Sequence, residues 1–376
     1  MLSFSTTTNM HLFITCPPNL EQLLAEELQT LGIAARRWPR GVSAPLSIEN
    51  VYIINYASRF ATRVLWPLAH FDCPNRDALY NEAKKIPWDK YLTVDKTFAI
   101  DANATNNQSF RNSHFAGLVV KDAICDFFRE KTGKRPSVEV YNPSVQINIF
   151  IFENKATISV DTSGAPLFKR GYRSGSVEAP LQETLAAAIL QLADYTAEDV
   201  LCDPFCGSGT FLWEAALMAT DTPAAYFRKN FGFFNHPLYK EEEWLALKAK
   251  LDSRIKPLKP YSIFGGDRDR KAIELCKATQ KNTHLPLHFQ HAHIHNFKTL
   301  LQPTLVVANP PYGTRIQAPS DPYLELAEFL KTTCNGKARA AILSPHRSLP
   351  PAFGRPPKKP IPLLNGGLEI FLHLIV

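Results

Sequence analysis

Long uncharged apolar runs are missing from this sequence. No stretch of about 18 such residues occurs in its 376, so a membrane-spanning helix is not expected. The first twenty residues carry no basic cluster ahead of an apolar core, so a secretory leader is not expected either. Cysteine is sparse and odd in number. Seven are scattered from Cys16 to Cys334, which excludes a disulfide framework and fits a reducing cytoplasm. No segment recurs every 20–50 residues, which excludes a solenoid. With 45% hydrophobic and 20% charged residues, disordered and collagen-like classes are excluded too. The length corresponds to about two or three domains.

Acidic residues are absent from Lys331 to Pro360, where seven basic residues stand. That run reads as a solvated surface loop. Elsewhere the basic excess is spread, with 20 basic against 16 acidic residues through Ser174 and 22 against 19 after it. The net charge of +7 is compatible with a polyanionic partner.

The pattern along the chain divides it. In residues 10–66 a short apolar strand (MHLFIT) is followed by a helix. Leu20, Leu23, Leu24, Leu28 and Leu31 recur there at helical spacing, and Gly32 ends it. VYIINYASRF and ATRVLWPLAHF read as β-rich or mixed. RDALYNEAKKIPW then reads as a helix, TFAIDANAT as a strand, and HFAGLVVKDAICDFFREKTG as an amphipathic helix stopped by Gly133. VQINIFIFENKATISVDTSG is a hairpin turning at Glu153-Asn154-Lys155. From about residue 175 strands and helices alternate, which predicts a parallel, doubly wound sheet. Ligands of such sheets sit at the carboxyl ends of the strands.

Three turns at predicted strand ends carry chemistry. Asp203-Pro204-Phe205-Cys206-Gly207-Ser208-Gly209-Thr210 joins a strand to a helix. Gly207 and Gly209 let the backbone bend and approach a ligand closely. No Lys-Ser/Thr follows, so it is not a P-loop, and the third glycine of a dinucleotide fingerprint is missing. At Gly265-Gly266-Asp267-Arg268-Asp269, Asp267 is placed to accept two ribose hydroxyls and Asp269 to cap the next helix. At Asn309-Pro310-Pro311-Tyr312 the prolines stiffen the turn and push Asn309 extended. Asn309 Oδ1 and the Pro310 carbonyl can accept two N–H bonds from an exocyclic amine, with Tyr312 stacked on its ring.

On these motifs the chain resembles SAM-dependent THUMP-domain RNA methyltransferases. It is most similar to bacterial enzymes that form N2-methylguanosine in large-subunit ribosomal RNA. The match extends through Phe168-Lys169-Arg170-Gly171-Tyr172-Arg173, Pro180-Leu181-Gln182-Glu183-Thr184-Leu185-Ala186 and the late Asn365-Gly366-Gly367-Leu368-Glu369. The resemblance implies an α/β fold: a Rossmann-like methyltransferase domain over residues 166–376, preceded by an α+β region. That region would hold a ferredoxin-like domain in 1–65 and a THUMP RNA-binding domain in 66–165.

It also implies S-adenosyl-L-methionine as cofactor, RNA (ribosomal, or transfer RNA) as partner, no membrane, and a cytoplasmic location. Asn309, Pro310, Pro311 and Tyr312 would be catalytic. Pro180, Thr184, Asp203, Pro204, Phe205 and Cys206 would meet the cofactor. So would Gly207, Gly209, Thr210, Asp267, Arg268 and Asn309, with His293 where relatives place an acid near the adenine. Lys121, Lys169, Arg170, Arg173 and Arg315 would contact RNA. No metal is expected: His291, His293 and His295 would share one strand face but lack an arranged fourth ligand. Two rival readings are a methyltransferase acting on adenine N6 or protein glutamine, and an RNA-binding protein with a degenerate cofactor pocket.

Overall fold

The computed structural model describes residues 10–175, 181–311, 321–354 and 359–376. An eight-stranded sheet occupies the first half, ordered β2-β3-β1-β4-β8-β7-β5-β6. Its first four strands are β1 (His11–Thr15), β2 (Arg36–Trp38), β3 (Gly41–Pro45) and β4 (Arg63–Asp72). The others are β5 (Thr97–Thr105), β6 (Ser137–Val138), β7 (Val145–Phe152) and β8 (Lys155–Asp161). The helices of this half are α1 (Glu21–Thr30), α2 (Ile48–Ala57), α3 (Arg76–Lys85) and α4 (Ser113–Thr132).

The periodic segments fold as their patterns dictate. In β7, Val145, Ile147, Ile149 and Ile151 are buried, while Phe150 and Phe152 face out. α4 stops where Gly133 turns left-handed at φ 73°. VYIINYA departs from the β-rich reading and forms α2. Ser47 caps it, accepting the Asn50 N–H at 3.1 Å, and burial selects helix over the β preference of its Val, Ile and Tyr.

β4 ties the two small units of this half together. Leu65 pairs with Phe13 of β1 and with Asp161 of β8, so one sheet runs through the expected division between residues 65 and 66. Pro67 stands in this central strand, where a missing N–H would break the ladder. The register shifts between Pro67 and Ala69, and that bulge absorbs it.

The second half is a seven-stranded sheet. Its strands are β9 (Leu201–Asp203), β10 (Ile263–Asp267), β11 (His288–His291), β12 (Leu305–Ala308), β13 (Arg339–Ser344), β14 (Ile361–Asn365) and β15 (Leu368–Ile375). The order β11-β10-β9-β12-β13-β15-β14 is parallel from β11 to β13. β15 runs antiparallel to β13, and β14 antiparallel to β15. The hairpin was not predicted, though its two-residue Gly366-Gly367 turn has both φ positive, a primed-turn signature.

Both faces of this sheet are buried. Leu305 and Val307 of β12 join one core with α5 (Glu183–Leu192), α6 (Thr210–Ala219) and α8 (Arg270–Thr283). Val306 and Ala308 join another with α9 (Pro322–Thr332). The first of these cores continues into the N-terminal half. An aromatic group joins the halves: Tyr52 and Tyr56 of α2 pack against Trp244 of α7 (Glu241–Asp252), and Tyr52 also against Phe233. The acid-free run from Lys331 is not one loop. It contains the end of α9 and all of β13, and Arg339 pairs with Asp199 at 2.7 Å.

Candidate cofactor and target-base site

The three suspicious turns converge. They follow the carboxyl ends of β9, β10 and β12, and β9 lies between the other two. In the first turn Gly207 (φ 52°) and Gly209 (φ 79°) are left-handed. A Cβ on Gly209 would come within 3.0 Å of Trp213 Nε1 and 3.2 Å of Cys276 Sγ. Gly209 also N-caps α6, and no side chain caps the helix there. The first N–H groups of α6 therefore lack a side-chain acceptor.

Asp267 braces the turn. Its Oδ2 accepts the Gly207 N–H at 2.8 Å and its Oδ1 the Asp269 N–H at 2.8 Å. A carboxylate has about four acceptor sites, so roughly two remain for donors of a ligand. Asp269 caps α8, accepting the Lys271 N–H at 2.9 Å, as its spacing predicts. Asp203 is buried and accepts the Phe205 N–H at 3.0 Å. Desolvation pushes its carboxyl well above the usual range, the Phe205 bond opposes this, and the Asp267 charge adds to the rise. Burial likewise raises Asp267, against the two N–H bonds. Two desolvated acids side by side suit a cationic ligand.

Two buried oxygens of the expected site residues are orphaned in this half. Asn309 Oδ1 and Thr184 Oγ1 are buried and have no hydrogen-bond partner among the described residues. Such atoms cost about 1–3 kcal/mol each when left unpaired, so a ligand donor reaching either would be favoured. Pro310 is buried and Pro311 half-buried beside Asn309, while Pro204 is buried and Phe205 half-buried below the first turn. Tyr312, Pro180 and Arg315 lie outside the described residues.

Other expected residues are placed differently. Cys206 is buried, and its Sγ lies 3.7 Å from the Gly207 carbonyl, so the side chain packs rather than reaches out. Thr210 Oγ1 is occupied by Arg173 Nη2 at 2.7 Å, leaving its backbone N–H as the available group. The Arg268 side chain is exposed, and its carbonyl faces His291 Nε2 at 3.0 Å. β11 ends at His291, and His293 precedes a 3-10 turn over Ile294–Asn296, so the three histidines do not share a strand face.

The basic segment requires a correction. Arg170 cannot meet RNA, because its side chain is fully buried against Glu214 at 3.3 Å. It also donates to the Leu167 and Arg59 carbonyls at 3.1 and 2.6 Å. Arg173 turns inward to Glu183, Ser208 and Thr210. The signal for this lay in α6, where Glu214 interrupts an apolar run. An acid buried there needs a cation. Of the described candidates, Lys169 is exposed, and Lys121 is partly exposed and pairs with Asp122 at 2.9 Å.

Comparison with known proteins shows the family. The family model for the RMKL-like methyltransferase domain matches residues 170–369. The chain belongs to the RMKL-like methyltransferase family. Models for a THUMP domain and for the RlmL ferredoxin-like domain match residues 73–161 and 11–65. A Ribosomal RNA large subunit methyltransferase K/L of Syntrophotalea carbinolica is 35% identical over 95% of this chain and 52% of its own length. The chain thus spans about half of that relative. A Synechocystis protein, provisionally named an RNA methyltransferase, is 34% identical, covering 98% of this chain and 97% of its own.

Among solved structures, the SMU.472 protein, provisionally named a methyltransferase and bound to SAH, superposes with TM-score 0.84 and 25% identity. It covers 97% of both chains. A Listeria monocytogenes protein described as a predicted N6-adenine-specific DNA methylase has the same TM-score and identity. It covers 97% of this chain and 96% of its own.

Proposed function

We propose that this protein is a SAM-dependent RNA methyltransferase that forms N2-methylguanosine in large-subunit ribosomal RNA. The observation that carries this reading is Asn309 Oδ1, a buried acceptor just after β12 with no donor among the described residues. An exocyclic amine supplies the missing donor. With Pro310 O as second acceptor, the two N–H bonds are fixed and the nitrogen lone pair is turned out of ring conjugation. Such alignment is worth up to roughly 7–11 kcal/mol of barrier. SAM, when bound, supplies an electrophilic methyl group on a sulfonium. Asp267 would hold its ribose, the start of α6 its carboxylate, and the acid pair Asp203 and Asp267 its positive charge.

The RNA reading rests on the THUMP match over 73–161 and on the K/L relatives. The name of the Listeria protein favours adenine N6 as the second reading. The proposed compartment is the cytoplasm, in keeping with seven buried, unpaired cysteines. No helix among the described residues is long and apolar enough to cross a membrane.

Nucleoside analysis of 23S RNA from a strain lacking the gene tests the proposal. Loss of one N2-methylguanosine, restored by purified protein and SAM, is expected. An unchanged guanosine pattern with loss of N6-methyladenosine would replace it with the second reading.

A further inference from the structure

Beside the candidate pocket, two histidines and a glutamate converge from elements far apart in sequence. His293 precedes the 3-10 turn after β11 and His295 lies within it, and their rings stack at 5.1 Å with planes 30° apart. Glu325 comes from the first turn of α9, with its side chain nine-tenths buried. Glu325 Oε1 lies 3.6 Å from His293 Nε2 and 3.9 Å from His295 Nε2. The three ligand atoms all lie within 4.8 Å of one another.

These separations are too long for hydrogen bonds, which fall near 2.7–3.2 Å. They are close to what an ion between the atoms requires. Zinc bonds of about 2.0–2.2 Å at tetrahedral angles hold neighbouring ligands about 3.4 Å apart. The two gaps to Glu325 close with movements of a few tenths of an ångström, whereas the two imidazoles, within 4.8 Å of each other, have up to about 1.4 Å to close, which half-exposed His295 can supply by turning its ring.

We propose that His293, His295 and Glu325 form a divalent transition-metal site with a fourth position open to water. Two imidazoles and one carboxylate select the zinc, cobalt and nickel class over magnesium and calcium, which take oxygen ligands. The ion would clamp the turn after β11 to α9. This site is independent of the methyl-transfer reading, because it requires neither SAM nor RNA. It also replaces the expectation that this histidine cluster is metal-free.

Cobalt(II) is the probe, titrated into untagged full-length protein and read by visible absorption, with zinc(II) added afterwards. One saturable equivalent, displaced by zinc, is expected. His295→Ala and Glu325→Gln should each weaken binding by more than the about 10- to 100-fold that loss of an outer-sphere partner costs. His291→Ala, whose imidazole faces the Arg268 carbonyl instead, should bind like the parent. Glu325→Gln touches a buried position. His295→Ala, at an exposed one, therefore keeps the test decisive if the first variant misfolds. Absence of a saturable equivalent, or wild-type affinity in folded His295→Ala, overturns the site.

Discussion

Asp267 reaches across from β10 to hold the Gly207 amide of the neighbouring turn at 2.8 Å. The acid that would bind the ribose is therefore also the brace of the loop that would hold the rest of the cofactor. Asp267→Ala should weaken SAM binding by about 10- to 150-fold, the range for loss of charge-assisted hydrogen bonds. Asp267→Asn, which retains one acceptor oxygen, should fall between. Calorimetric titration with SAM measures both, and parent-like affinity in the Ala variant would remove Asp267 from the site.

Asn309→Ala should slow methyl transfer by about 10²–10³, as when one transition-state hydrogen-bonding group is removed. SAM affinity should change little, since the orphaned Oδ1 is assigned to the target amine. It should also not cost stability through an unpaired partner, because no described donor is bound to that oxygen. Single-turnover rates at saturating SAM and RNA decide the matter.

Arg170→Met should destabilise the fold by about 3–5 kcal/mol, because it strands the Glu214 carboxylate in the core. Arg170→Met with Glu214→Leu should recover much of that loss. RNA affinity of folded Arg170→Met should equal the parent's, whereas Lys169→Ala should flatten its salt dependence by about one phosphate contact. Denaturant unfolding and filter binding at several salt concentrations test the two halves of this prediction.

His236 packs its ring 4.5 Å from Trp66 of β4, and burial lowers its pKa from 6.5 to about 4. Below pH 6.5 the unfolded chain takes up a proton that the folded chain refuses. Stability from this group is therefore full above that value and is lost as pH falls toward 4. The loss is on the order of 3 kcal/mol across the window. His236→Phe should flatten the stability profile between those limits in denaturant melts. A slope unchanged by the substitution would assign the acid sensitivity elsewhere.

The strand ends were legible because their chemistry is local. Asp203, the two glycines, Asp267 and Asn309 carry backbone constraints within eight residues of one another in each turn, and the structure brings all three turns together. α4 and the β7–β8 hairpin were legible for the same reason: period and punctuation agree. α2 was not, since its Val, Ile and Tyr favour strands in isolation and only burial against Phe233 and Trp244 decides for helix. Arg170 and Arg173 misled because a basic cluster looks alike whether it faces phosphate or a buried acid. Their partners Glu214 and Glu183 lie 44 and 10 residues away. The meeting of His293 with Glu325 crosses from β11's edge to α9, a distance that sequence periodicity does not see.

β4 has a consequence for substrate choice. Its pairing runs from Thr15↔Arg63 at one end to Lys155↔Asp72 at the other, so the two N-terminal modules share one beam. That beam is fastened to the methyltransferase half by a common core and by Tyr56 bonded to Asp252 at 2.6 Å. On the proposed RNA function, the span from a gripping surface on this sheet to Asn309 would act as a gauge. An RNA would be chosen by how far its target nucleotide stands from the element being gripped, much as a caliper accepts only one width.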